Sequence, residues 1–108
     1  MTEPTLTTIY ITVPPANADE LATTLVEERL AACVNRLPCE STYRWDDEVT
    51  TDTEEIMLAK TTTDRAPALI DRIRTLHPYE VPCIERFDAA AADEPFADWC
   101  VDAVSLGE

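Results

Sequence analysis

At 108 residues the chain has room for one hydrophobic core, and a 45% hydrophobic content places it with folded chains rather than disordered ones. Twenty-two acids stand against eight bases, a net charge of −14, and no basic patch offers itself to phosphates, so nucleic-acid binding is not expected. No apolar run reaches membrane-spanning length, and the opening MTEPTLTTIY has neither the basic stretch nor the apolar core of a secretory leader.

Lys60 is the only lysine and Gly107 the only glycine; the other seven bases are arginines. So many carboxylates repel one another at low salt, and screening shortens that repulsion to about 3 Å near 1 M. The pattern reads as a halophilic protein suited to a salt-filled cytoplasm. Cys33, Cys39, Cys83 and Cys100 are then expected to be reduced. They form no C-x-x-C pair and no zinc-site spacing, and they read as small buried apolar residues.

In chain order, LTTIYITV (6–13) is a β-branched and aromatic run stopped by Pro14-Pro15, which predicts a strand. Asn17 and Glu20 have capping-box spacing, with Asn17 as the expected N-cap. Leu21, Leu25 and Val26 recur at helical spacing, and the helix is expected to end near Leu30. A second strand is expected from Ala32 to Trp45, where Pro38 demands an edge position or a bulge. Asp46-Asp47-Glu48 is a polar turn, and a third strand carries Ile56–Ala59, giving a long antiparallel hairpin. Asp64 is the expected cap of a second helix with Pro67 in its first turn and Leu69, Ile70, Ile73 and Leu76 as its apolar stripe. Pro78 ends that helix, so His77 is its last residue or the first beyond it. Cys83 to Phe87 reads as a fourth strand and Pro95 to Val104 as a terminal helix. Two βαβ-like halves in this order predict an α+β, ferredoxin-like (split βαβ) sandwich with a long hairpin and a C-terminal helix, residues 1–108 forming one domain.

His77, the only histidine, invites a metal or general-base role. No Ser/His/Asp or Cys/His arrangement is legible, and the nearest acid, Glu80, lies three residues on across a proline. The residues favour a helix-end histidine bonded to backbone carbonyls and placed at the negative end of the helix dipole. Lys60 has two readings of equal weight: a surface lysine with a buried stem, or a cation in an inter-subunit cleft paired with Glu80 or an anion. Trp45, near the hairpin tip, is a candidate anchor for another chain, because long apolar strands at a free edge invite pairing.

ERLAACVN (28–35), YRW (43–45), LAKTT (58–62) and LHPYEVP (76–82), in this order and spacing, resemble the signature blocks of the CutA family of divalent-cation tolerance proteins. The resemblance runs from the first strand to the terminal helix. It implies a ferredoxin-like, PII-like fold, a tight homotrimer and a link to tolerance of copper and other divalent metals. Without a leader or a membrane run the chain is expected in the cytoplasm, without a legible catalytic set it is not expected to be an enzyme, and no cofactor is expected beyond a weakly held metal such as copper. Copper binding in the family is attributed to a cysteine late in the first strand and a His-His pair before Pro-Tyr. Here Tyr10 to Val13 fill the first place, and only the second histidine is matched, by His77, which is the metal-ligand candidate. The PII likeness supplies the alternative: a small-ligand module whose inter-subunit clefts involve Lys60, Tyr79, Glu80 and Trp45. An enzyme using His77, Tyr79 or Glu80 ranks last.

Overall fold

A computed structural model describes residues 5–107. Seven elements follow one another: β1 (Leu6–Val13), α1 (Pro15–Glu27), β2 (Cys33–Trp45), β3 (Glu48–Thr62), α2 (Ala66–Leu76), β4 (Ile84–Asp88) and α3 (Glu94–Ala103). The strands form one antiparallel sheet in the order β2-β3-β1-β4. Each βαβ half leaves a gap between its two strands, and the gap is filled by a strand of the other half, which is the split arrangement the element order predicts.

Strand periodicity divides the sheet into two faces. Ile9, Ile11 and Val13 of β1 and Met57 and Ala59 of β3 are fully buried against Ala18, Leu21 and Leu25 of α1 and Ala66, Leu69 and Ile73 of α2. The alternate residues, including Tyr10, Thr12, Ile56, Leu58 and Lys60, face the other way. There α3 covers one end through a small cluster of Leu6, Ala32, Cys100 and Val104.

The hairpin register runs unbroken from Cys33↔Lys60 through Pro38↔Glu55 to Trp45↔Glu48. Pro38 is therefore accommodated because β2 is the sheet edge, without a bulge. Asp46 and Asp47 turn the chain at φ 50° and 64°. A two-residue hairpin loop needs positive φ at both places, and aspartate is among the few side chains that tolerate it.

Both expected N-caps are corrected. The cap of α1 is Pro14, and Asn17 sits in the first turn with its N–H donated to the Pro14 carbonyl at 3.0 Å. Pro15, with φ fixed near the helical value and no N–H to satisfy, starts the helix three residues before an Asn17 cap would. In α2 the cap is Arg65, whose N–H bonds the Thr62 carbonyl at 3.1 Å, so Asp64 stands one residue outside. The end of α1 also comes early. Arg29 takes φ 59°, its N–H meets the Val26 carbonyl, and the Leu30 N–H reaches back to Leu25. This is the Schellman closure, with Leu30 packed into the core beside Leu25 and an arginine where glycine is usual. The last strand starts at Ile84 rather than Cys83, and α3 runs one residue ahead of its expected bounds. Of the four cysteines only Cys100 is fully buried; Cys33 and Cys39 are half-buried and Cys83 is exposed, so the expectation of buried apolar thiols holds at one position.

Candidate functional site

The segment HPYE begins where α2 must stop. Ahead of Pro78, His77 takes extended geometry (φ −71°, ψ 135°), and its N–H closes the last turn on the Ile73 carbonyl at 2.8 Å. The imidazole is 7% exposed and both ring nitrogens are engaged. The Tyr79 N–H donates to Nδ1 at 3.1 Å, and Nε2 contacts the Thr12 carbonyl at 2.8 Å. An acceptor at Nδ1 and a carbonyl at Nε2 assign the neutral tautomer with its hydrogen on Nε2. The ring thus ties the end of α2 to the end of β1, as the helix-end reading predicts, and aims the next turn.

That turn presents Tyr79. Its ring lies 4.9 Å from the imidazole, and its hydroxyl donates to Glu54 Oε2 at 2.9 Å. Glu54 belongs to β3 and is only 5% exposed. Desolvation, reinforced by the hydrogen bond to the Glu54 carboxylate, pushes the Tyr79 phenol up to about 12. A parallel pair lies along the hairpin, where the Tyr43 hydroxyl donates to Asp52; that bond, more than desolvation, raises the Tyr43 phenol as well. Tyr10 is also raised, first by burial and then by surrounding negative groups.

These side chains converge on a groove of about 680 Å³ on the sheet face that α1 and α2 do not cover. β1 contributes Tyr10 and Thr12, β2 contributes Ser41, Tyr43 and Trp45, and β3 contributes Glu54. The segment after α2 adds Pro78, Tyr79, Glu80 and Val81, and Cys83 and Glu85 complete the wall. Trp45, Tyr79 and Glu80 are therefore brought together. Lys60 is not: its Nζ lies 5.9 Å from the Phe96 ring centroid, on the part of the face that α3 covers. Within one chain Lys60 makes a cation–π contact, because β3 sets it opposite Thr8 and Cys33, at the other end of the sheet from the groove. Glu54 and Tyr10 were not singled out from the sequence. The signal was parity: in β3, Glu54 shares a face with Ile56 and Leu58, while Glu55 points to the opposite side, where it holds Arg36 at 2.9 Å.

Among the described residues no group of three or more His, Cys, Asp or Glu is placed to hold a metal ion. A metal at His77 would have to displace the Tyr79 N–H or the Thr12 carbonyl.

The Tyr79–Glu54 pair gives a pH prediction. The folded phenol titrates near 12 and a free one near 10. The folded state therefore holds the proton longer. The pair's contribution is fully present below about pH 10 and is lost as pH rises toward about 12. Melting temperatures measured from pH 9 to 12 are expected to fall more steeply for the native chain than for Tyr79→Phe; parallel curves would refute the assignment.

A family model described as CutA1 divalent ion tolerance protein matches residues 7–103. The chain belongs to this family. The Divalent-cation tolerance protein CutA of Thermus thermophilus is 47% identical over 93 residues, covering 84% of this chain and 90% of that protein. Human Protein CutA is 38% identical over 92 residues, covering 83% of this chain, which spans about half (51%) of that longer protein. A solved structure described as the Periplasmic divalent cation tolerance protein CutA from Archaeoglobus fulgidus superposes with a TM-score of 0.89 at 33% identity, covering 93% of this chain and 99% of that one. The fold described above is thus shared with solved CutA structures. No helix among the described residues is long and apolar enough to cross a membrane.

Proposed function

We propose that this chain is a non-enzymatic, homotrimeric CutA protein of one domain (1–108) that contributes to divalent-metal tolerance in a halophilic cytoplasm. The observation that carries the assembly is the uncovered sheet face. Leu37 and Phe87 lie on it 43% and 55% exposed, with Trp45 further along at 50%. An apolar face beside a 13-residue edge strand is what a second copy of the chain would cover. The family resemblance supplies the number three. Four free thiols, one of them exposed, suit a reducing compartment. A non-catalytic role is supported by His77, whose nitrogens are committed to the backbone, so that neither Ser41 nor Cys83 gains a base from it.

The copper contact proposed for His77 is weak, since a ring nitrogen must first give up its present partner. Some affinity is expected of almost any histidine-bearing protein by the Irving–Williams order. Sedimentation in molar KCl should give three times the 12.0 kDa chain mass, and a monomer at micromolar concentration would overturn the assembly. Calorimetry in the same buffer should show weak copper binding that His77→Ala largely removes. Tight stoichiometric binding that survives the substitution would overturn the role of His77.

The groove favours a second reading alongside the first, a PII-like ligand site at a subunit boundary. Trp45, Tyr79 and Glu80 line one cavity of a size typical for small-molecule sites.

A further inference from the structure

Two of the four cysteines are gathered beneath α3 with the only lysine. Cys33 opens β2 and is the cross-strand partner of Lys60, so both side chains rise from the sheet face that carries α3. Lys60 Nζ lies 5.9 Å from the centroid of the Phe96 ring. Cys100 follows Phe96 by four residues on α3, about one helical turn, and shares its side of the helix. Cys100 is fully buried, in a cluster with Leu6, Val104 and Ala32, the residue before Cys33. Burial pushes the Cys100 thiol up; Cys33 adds to the rise and Lys60 opposes it, so two thiols and an ammonium act on one another. The side chains packed around them are small, Ala89, Ala97 and Ala103. Register and the chain's own helix set this arrangement, and a second copy on the open part of the sheet leaves it in place.

A buried thiol pair beside a cation suits few chemistries. A nucleophile would need a substrate path to Cys100, whose side chain is fully enclosed. A tetrahedral divalent ion such as zinc needs four ligands, and among the described residues no group of three is formed. A soft monovalent ion needs only two thiolates, the ligands that select Cu(I). Its binding replaces two S–H bonds with two S–Cu bonds and releases two protons, with no change of oxidation state. The bis-thiolate complex carries one negative charge, which is costly to bury unless a counter-charge stands beside it. Lys60 is that counter-charge.

We propose that Cys33 and Cys100 form a two-coordinate site for cuprous copper, with Lys60 offsetting its charge. The site goes beyond the weak contact at His77 and is independent of it: that contact concerns the divalent ion and a ring nitrogen, this one the monovalent ion and sulfur alone.

The intact protein, reduced and anaerobic, is titrated against the cuprous bathocuproine disulfonate complex in about 1 M sodium sulfate, which screens as KCl does without chloride competing for the ion. It should take up one ion per chain and release two protons per ion, read from calorimetry in buffers of different ionisation enthalpy. Cys33→Ser should weaken uptake about a hundredfold or more, and Lys60→Met about tenfold, with Lys60→Arg restoring it. Cys100→Ala, apolar like its surroundings, should match Cys33→Ser. Cys39→Ser, on the same strand as Cys33, should leave uptake unchanged. Zinc should be held at least about a hundredfold more weakly than cuprous copper. The site is overturned by failure to take copper from the chelator, by uptake indifferent to both Cys33→Ser and Cys100→Ala, or by loss with Cys39→Ser. One ion per two or three chains would also overturn it, since the ligands would then come from different subunits. Zinc binding without cuprous binding would overturn the thiol site and leave the divalent-metal reading standing.

Discussion

Moved from 2 M to 10 mM KCl, this protein is expected to melt about 10 °C lower or more. Two unit charges about 10 Å apart in water repel by about 0.4 kcal/mol, and an excess of 14 negative charges contains many such pairs. At 10 mM salt the screening length is about 30 Å, so nearly all of them act; near 1 M it is about 3 Å and almost none do. The ion pairs work in the opposite direction, but they are few and exposed: Arg36 with Asp19 and Glu55, Arg72 with Glu28, Arg74 with Asp71, Arg86 with Asp88. Such pairs contribute about 0–1 kcal/mol each, so salt removes little by weakening them. The repulsion also acts in the unfolded chain, at larger separations, which leaves a difference of a few kcal/mol. At about 4–8 °C per kcal/mol for a domain of this size, that difference is a shift of about 10 °C or more. Scanning calorimetry across the KCl series is the check. Most of the gain should appear below about 0.5 M, as screening requires. A melting point flat from 10 mM to 2 M would refute the halophilic reading.

The second large effect is expected at Leu69. Its side chain is fully buried, in the same core cluster as Ile9, Ile11 and Met57 of the sheet. Leu69→Ala removes the buried methyl groups and leaves a cavity in packed surroundings, costing about 2–5 kcal/mol. Leu76→Ala, seven residues later on the same helix, should cost about 0.5 kcal/mol or less, since Leu76 is 38% exposed. Urea unfolding of the two variants in molar salt measures the contrast. Equal losses would mean that another chain covers Leu76 in solution.

That contrast marks where sequence reasoning ends. Helical spacing puts Leu69, Ile70, Ile73 and Leu76 on one stripe, and the stripe exists. Periodicity does not say that Leu69 is fully buried while Leu76, in the last turn, stays 38% exposed. The strands and their order were legible, because β-branched runs bounded by proline and acidic turns have few other solutions. Pro38 signalled the sheet edge correctly. The caps were misread, because spacing rules for Asn17 and Asp64 compete with Pro15 and with the Thr62–Arg65 turn, which decide the helix starts locally. The role of His77 as a backbone tie was readable from Pro78 beside it. The groove was half readable. Trp45, Tyr79 and Glu80 stand in marked motifs, whereas Glu54 hides in an acidic pair and acquires its role only when the hairpin register sets it under the HPYE turn. Lys60, six residues further along β3 than Glu54, stands at the other end of the sheet.

The split topology also sets a schedule for synthesis. The ladder between β1 and β4 joins Thr7 to Asp88 and Ile11 to Ile84, a closure spanning most of the chain. The hairpin of β2 and β3 closes locally, and β3 can then dock on one side of β1 while the ribosome is still at work. The other side of β1 must wait until residues 84–88 emerge. Until then a nascent chain displays an open strand edge of five residues, in a β-branched and aromatic run. The fold is thus completed by one of its shortest strands, and a chain stalled after α2 would carry its stickiest edge unprotected.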